Sequence, residues 1–95
     1  VICGNPSLAV GAYLESLSMG LKVPQDVSIV GYDDIEVMSH LPIGLTTVRV
    51  QSEQVGRNAA RYLMARLNGE EADIPFQCET DIVIRQSSGP PKTTL

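Results

Sequence analysis

The adjacent carboxylates Asp33 and Asp34 are the side chains of this sequence best placed to do chemistry. They follow Val27-Ser28-Ile29-Val30-Gly31-Tyr32, a short β-branched, apolar run that reads as a strand buried on both faces. Gly31 permits a turn where a side chain would clash. The two acids are therefore released at a strand's carboxyl end, the edge where open parallel α/β sheets bind ligands. A carboxylate there can accept charge-assisted hydrogen bonds from ligand hydroxyl or N–H groups. The plainer alternative is that one Asp caps a turn and the other is solvated. A divalent-cation site is a weaker reading. Adjacent residues after a strand point different ways, and no Lys or phosphate-cradling Gly-rich loop accompanies the pair. No metal and no cofactor is expected.

Asn5 is the second candidate. Its side chain can cap the helix that begins at Pro6, or it can face a ligand from the same sheet edge as Asp33. Two parallel strands end side by side, and convergent polar groups there form half of a binding crevice. His40, the only histidine, has no Ser or Cys nucleophile motif beside it, and no GxSxG occurs. It reads as structural or surface, no catalytic residue is assigned, and an enzyme is not expected. Cys3 and Cys78 belong to no CxxC or Cys/His spacing. Both sit in apolar contexts and read as buried reduced thiols, which fits a cytoplasmic setting.

Composition narrows the function classes. Seven Lys/Arg against eleven Asp/Glu give a net charge of −4, and the cations are scattered. Only Arg57, Arg61 and Arg66 fall close together, as on a solvated helix face. A surface that grips nucleic-acid phosphates needs clustered cations, so this segment does not itself bind DNA. With no Trp and a single Phe there is no stacking platform for single strands. No apolar run approaches the length of a membrane span, and no leader pattern is visible. The sequence opens on Val1-Ile2-Cys3 without an initiator Met, which reads as a piece of a longer protein.

The elements that must position these residues follow from local signals. Val1 to Cys3 reads as a strand end, and Gly4 to Ser7 as a turn. A helix is expected from Ser7 to Met19, with Ala9, Ala12, Tyr13 and Leu17 on one apolar face and Gly20 as its stop. The strand before Asp33 completes a βαβ unit with a right-handed crossover. Ile35 to Leu41 is read as one short helical turn, broken by Pro42 and Gly44. Leu45 to Val50 is a strand, favoured by Thr46 and Thr47. A second helix is expected from Ser52, as cap, to about Asn68, with Val55, Ala59, Tyr62, Leu63 and Leu67 on one side. Glu70 to Asp73 is a polar connector, Phe76 to Arg85 one broken or two short strands, and Gln86 to Leu95 a surface tail. The fold class is α/β with a parallel sheet.

These stretches together resemble the C-terminal part of the core domain in the lactose-repressor/galactose-repressor family of bacterial transcription regulators. The resemblance runs through Cys3-Gly4-Asn5 and its helix with Ala9 and Gly11, then Gly20-Leu21-Lys22-Val23-Pro24-Gln25-Asp26-Val27-Ser28-Ile29-Val30-Gly31-Tyr32-Asp33-Asp34. It continues through Leu45-Thr46-Thr47-Val48, the helix around Gly56, and Ile84-Arg85-Gln86-Ser87-Ser88. Single pieces are weak signals, but their combination is specific.

The resemblance implies a parallel-sheet fragment of a two-subdomain, periplasmic-binding-protein-like fold. Residues 1–48 would belong to the C-terminal subdomain, 49–75 would cross to the N-terminal subdomain, and 76–95 would hold return strands and tail. It implies that Asn5 and Asp33 face a small-molecule effector, a sugar or related metabolite. This sequence departs from relatives at Pro6, where an Asp often stands, so Asn5 is left to cap the helix. The family dimerises through its cores. The resemblance thus implies a homodimer or higher oligomer through the exposed side of the first helix and Ile35–Leu41, with Tyr13, Met38 and Leu41 at the interface; the alternative is that Met38 and Leu41 cover the core. DNA would be bound only through an N-terminal helix-turn-helix absent from this sequence, and no membrane partner is implied. The alternative is a solute-binding protein of a transporter, which shares the fold, although the quoted runs look more like the regulators. An enzyme of the flavodoxin-like or response-regulator kind would need a phosphate loop or a Lys paired with the acids.

Overall fold

The computed structural model describes residues 1–71 and 79–92. Its elements in chain order are α1 (Pro6–Ser18), β1 (Val30–Tyr32), α2 (Val37–His40), β2 (Thr46–Val50), α3 (Ser52–Leu67) and β3 (Thr80–Val83). The sheet order is β1-β2-β3, with β1 and β2 parallel and Val30 opposite Thr46. Ile2 adds a parallel bridge to Val30 on the other side. The chain is thus α/β with a parallel sheet, as its sequence predicts. The expected strand start at Phe76, the end of the connector at Asp73 and the burial of Cys78 lie outside the described residues.

By compactness the chain divides into two units, Val1–Arg49 with Asp81–Leu95, and Val50–Thr80. The first holds the core. Cys3, Ala9, Tyr13, Val23, Ile29, Met38 and Leu45 are buried together, with Val10, Ala12, Val27, Leu41 and Ile43 packed against them. Helix α1 forms where local chemistry asks for it. Asn5 accepts the Leu8 N–H at 2.9 Å, and Pro6 takes the first turn, where its missing N–H costs nothing. Gly20, at φ 76°, ends it. Ala9 and Tyr13, one turn apart, enter the core. Leu17, expected on the same face, is instead exposed.

The strand before Asp33 starts later than its apolar run suggests, at Val30 rather than Val27. Ile29 is fully buried, yet its backbone bonds go to a distant residue. Its N–H is donated to the Ser87 carbonyl at 2.9 Å, and its own carbonyl accepts the Ser87 hydroxyl. The expected surface tail is corrected by the same contact. Ser87 is fully buried, its Oγ also accepts the Thr46 N–H at 2.8 Å, and its own N–H is donated to Gly44. Buried backbone groups must find partners, and Ser87 supplies them at once for β2 and for the residue leading into β1.

Gly31 is also corrected. It lies within β1, not at a turn, and a Cβ there would stand 2.7 Å from Met38 Cε and 3.2 Å from Ala9 Cβ. Its role is close packing between helix and strand. The backbone excursion falls instead at Asp33, φ 81°, a conformation Asp tolerates better than most residues.

In the second unit, Ser52 is the first residue of α3 rather than its cap. The cap position is Gln51, which makes no side-chain capping bond. Glu53 sits in the first turn and pairs with Arg57 one turn on, at 2.6 Å. None of the α3 side chains is buried among the described residues.

Candidate functional site

The parallel register brings the sequence-predicted pair to one edge. Ile2 stands beside Val30, the Cys3 N–H is donated to Val30 at 2.8 Å, and both chains then run on in the same direction. Asn5 and Asp33 each follow three residues beyond that bridge, Asp33 past the carboxyl end of β1 and Asn5 past the bridged segment beside it. On the other side of β1 the register sets Tyr32 opposite Val48, so Arg49, still within β2, lies at the level of Asp33.

The two neighbouring acids are used differently. Asp33 is held by its backbone alone: its N–H is donated to Val48 at 2.7 Å, and its carbonyl accepts the Thr47 hydroxyl at 2.7 Å. Its carboxylate makes no hydrogen bond or ion pair in the described structure. Asp34 turns inward. Arg85 Nη2 lies 3.0 Å from its Oδ1 and 3.1 Å from its Oδ2, and both side chains are less than a fifth exposed (19% and 15%). Arg85 Nη1 is donated to the Leu45 carbonyl at 2.9 Å. One acid is therefore spent on structure and the other is left for solvent or a ligand.

Asn5 spends its Oδ1 on the Leu8 N–H. Of its side chain, the amide NH₂ remains, which can donate but not accept. Arg49 is half exposed and pairs with Asp81 on β3 at 3.4 Å. Asp81 stands against Arg49 and Arg85 against Thr46, so the chain returns along β2 in the opposite direction. The edge thus carries an acceptor at Asp33, a donor at Asn5 and a charged pair at Arg49–Asp81, a set suited to a neutral polyhydroxylated molecule.

The residues expected at a dimer interface separate. Tyr13 and Met38 are 2% and 0% exposed and fill the core, which corrects their assignment to the surface. Tyr13 faces inward because Ala9 and Tyr13 form the stripe that packs on the sheet, and Met38 is drawn in over Gly31. Leu41 is partly buried against the core. The apolar surface on this side lies elsewhere. Val10, Leu14, Ile35 and Val37 line an open groove of about 390 Å³ with Pro6, Ser7 and Gly11.

Among the described residues no group of His, Cys, Asp and Glu is arranged to hold a metal ion, and Cys3 is buried as a free thiol. His40 is exposed, its Nε2 3.6 Å from Glu36. Arg57, Arg61 and Arg66 are exposed on α3. Among the described residues no helix is long and apolar enough to cross a membrane. Sequence reasoning missed Arg85 and Ser87 as site-forming residues. The run Ile84-Arg85-Gln86-Ser87-Ser88 stood out in the sequence, but nothing local says which strand it will meet.

Three comparisons place this geometry among known proteins. A family described as a periplasmic binding protein-like domain matches residues 1–88. The HTH-type transcriptional repressor PurR of Vibrio parahaemolyticus is 36% identical over 88 residues, covering 92% of this chain and 26% of that repressor. The lactose operon repressor of Rhizobium radiobacter is 30% identical over 94 residues, covering 99% of this chain and 83% of that sequence. The structure of a transcriptional regulator CelR–cellobiose complex superposes with a TM-score of 0.85 at 31% identity, over 93% of this chain and 27% of that one. This chain spans about a quarter of the length of the PurR repressors it matches.

Proposed function

Because the chain belongs to the lactose-repressor/galactose-repressor family of periplasmic binding protein-like domains, matching the C-terminal part of its core, we propose that it is the effector-binding and dimerisation segment of a cytoplasmic bacterial transcription regulator. It is not an enzyme in this reading. The effector is a sugar or a related polyhydroxylated metabolite, as the cellobiose held by one structural relative suggests. DNA is bound through a helix-turn-helix outside this sequence. The observation that carries the reading is the uncommitted Asp33 carboxylate at the carboxyl edge of parallel strands, beside Asn5. Residues 49–75 cross to the other subdomain of the core, and 76–95 return.

The mechanism is a population shift. A ligand can move an equilibrium only by binding one arrangement better than another. Asp33 accepts ligand hydroxyls and Asn5 donates to ligand oxygens, and these contacts are complete in one arrangement of the cleft only. The coupling to DNA is reciprocal and of the order of about 1–3 kcal/mol. The second copy of the regulator packs on the groove of Val10, Leu14, Ile35 and Val37, where the exposed Leu14, Ile35 and Val37 side chains gain most from cover. A light-scattering mass that stays at the monomer value at all concentrations removes this part.

The test is calorimetric titration of the purified protein with glucose, cellobiose and related sugars. Asn at position 33 keeps the left-handed backbone and the shape while removing the charge. Asp33→Asn weakens binding of the sugar that fits by about 10–100-fold, the value of a hydrogen bond to a charged group. Equal affinity of Asp33→Asn and the parent for that sugar sinks the assignment.

A further inference from the structure

We propose that Arg85 is a positioning residue for the effector site: through its bond to Asp34 it holds the Asp33 tip in its left-handed conformation. The proposal builds on the reading of Asp33 as an effector contact, but its first test does not depend on it.

The argument starts from the backbone. Asp33 stands at φ 81°, a region that costs an ordinary residue energy and persists only where the surroundings enforce it. On its β2 side the enforcement is visible. The Asp33 N–H reaches Val48, and the Thr47 hydroxyl reaches the Asp33 carbonyl. On the following side the chain would be free, since Ile35 and Val37 are exposed and the next backbone bond belongs to α2. Asp34 closes that side by pairing with Arg85.

Arg85 is built to be a fixed anchor. Its backbone N–H is donated to Thr46 Oγ1 at 3.0 Å, and its guanidinium spans Asp34 and the Leu45 carbonyl together. Only a planar, multi-donor head reaches two acceptors in this way, whereas an ammonium is a single point. Gly44 makes room for it, since a Cβ there would meet Arg85 Cδ at 2.8 Å. Because the pair is largely shielded from water, salt screens it less than a surface pair such as Arg57–Glu53. Arg85 lies in the segment that follows β3, so the stretch returning to the first unit is pinned to the residue next to the effector carboxylate. A shift in that returning stretch is thereby delivered to Asp33.

The test is amide hydrogen exchange by NMR on the purified protein. In Arg85→Met, which keeps the apolar stem and removes the charge, the Asp33 amide exchanges about tenfold faster. The Cys3 amide, bonded to Val30 on the far side of β1, keeps its parent rate. Arg85→Lys restores part of the protection. Asp34→Asn, which removes the other half of the pair without changing shape, gives the same pattern and serves if Arg85→Met does not fold. Unchanged exchange at Asp33 overturns the proposal. So does acceleration at Cys3 in step with Asp33, which is what a merely structural residue produces. A parallel cellobiose titration separates the two ideas: Asp33→Asn with parent-like affinity ends the effector-contact reading, while the exchange data still decide the role of Arg85.

Discussion

Helices α1 and α3 are built from similar amounts of apolar sequence and end in opposite situations. Helix α1 is capped by Asn5, and its Ala9 and Tyr13 are part of a buried core. Helix α3 has the more regular apolar stripe, but no capping side chain, and Val55, Leu63, Met64 and Leu67 all remain exposed. Periodicity states which face of a helix wants cover, not what covers it. In the first unit the cover comes from β1 and from the buried Ile29, Met38 and Leu45. The stripe of α3 is the kind of surface that waits for a further element.

The contrast can be broken or sharpened by substitution. Met38→Ala removes a fully buried side chain seated over Gly31, and thermal or denaturant unfolding should register a loss of about 2–5 kcal/mol. A loss below about 1 kcal/mol would mean that the core described above is not what stabilises the unit. Ser87→Ala leaves the Thr46 N–H and the Ile29 carbonyl one buried partner short. The expected cost is about 1–3 kcal/mol, and a surface tail would instead show none.

The next effect depends on pH. Lys92 bonds the Asp26 side chain and, with the Lys22 N–H, holds its carboxyl below the ordinary value of 3.8. A lowered folded value means stability that is present above 3.8 and lost as pH falls through the folded value. Lys92→Ala should therefore be less stable than the parent at neutral pH, and the two curves should converge in acid. A gap that persists unchanged into strong acid would show that Lys92 acts by packing alone. The smallest effect belongs to α3. Leu67→Ala should change stability by less than about 0.5 kcal/mol, because the side chain is 71% exposed. A large loss would show that the α3 stripe is already covered in solution.

Much of the fold was legible because its signals are local. Asn5-Pro6 marks a helix start, Gly20 and Gly69 mark helix ends, and adjacent threonines favour a strand. The short turn at Ile35–Leu41 was legible between Asp34 and Pro42, and its regular part is Val37–His40. That Asn5 and Asp33 share an edge was legible because their preceding segments read as parallel neighbours, which the Ile2–Val30 bridge shows. The surface role given to Tyr13 and Met38 failed for a physical reason. An apolar residue in an irregular or helical segment is equally suited to an interface and to a core.

The amino-acid sequence by itself determined where helices begin and stop, that β1 and β2 pair in parallel, and that a pair of acids emerges at the sheet's edge. Tertiary structure alone decided which acid is free. Asp34 is claimed by Arg85 from 51 residues away, and Ile29 by Ser87 from 58 residues away. No window of local sequence contains both partners of such a contact. The reason is that caps, turns and periodicity act over a few residues, whereas buried backbone groups and half-buried charges take whatever partner the folded chain brings to them.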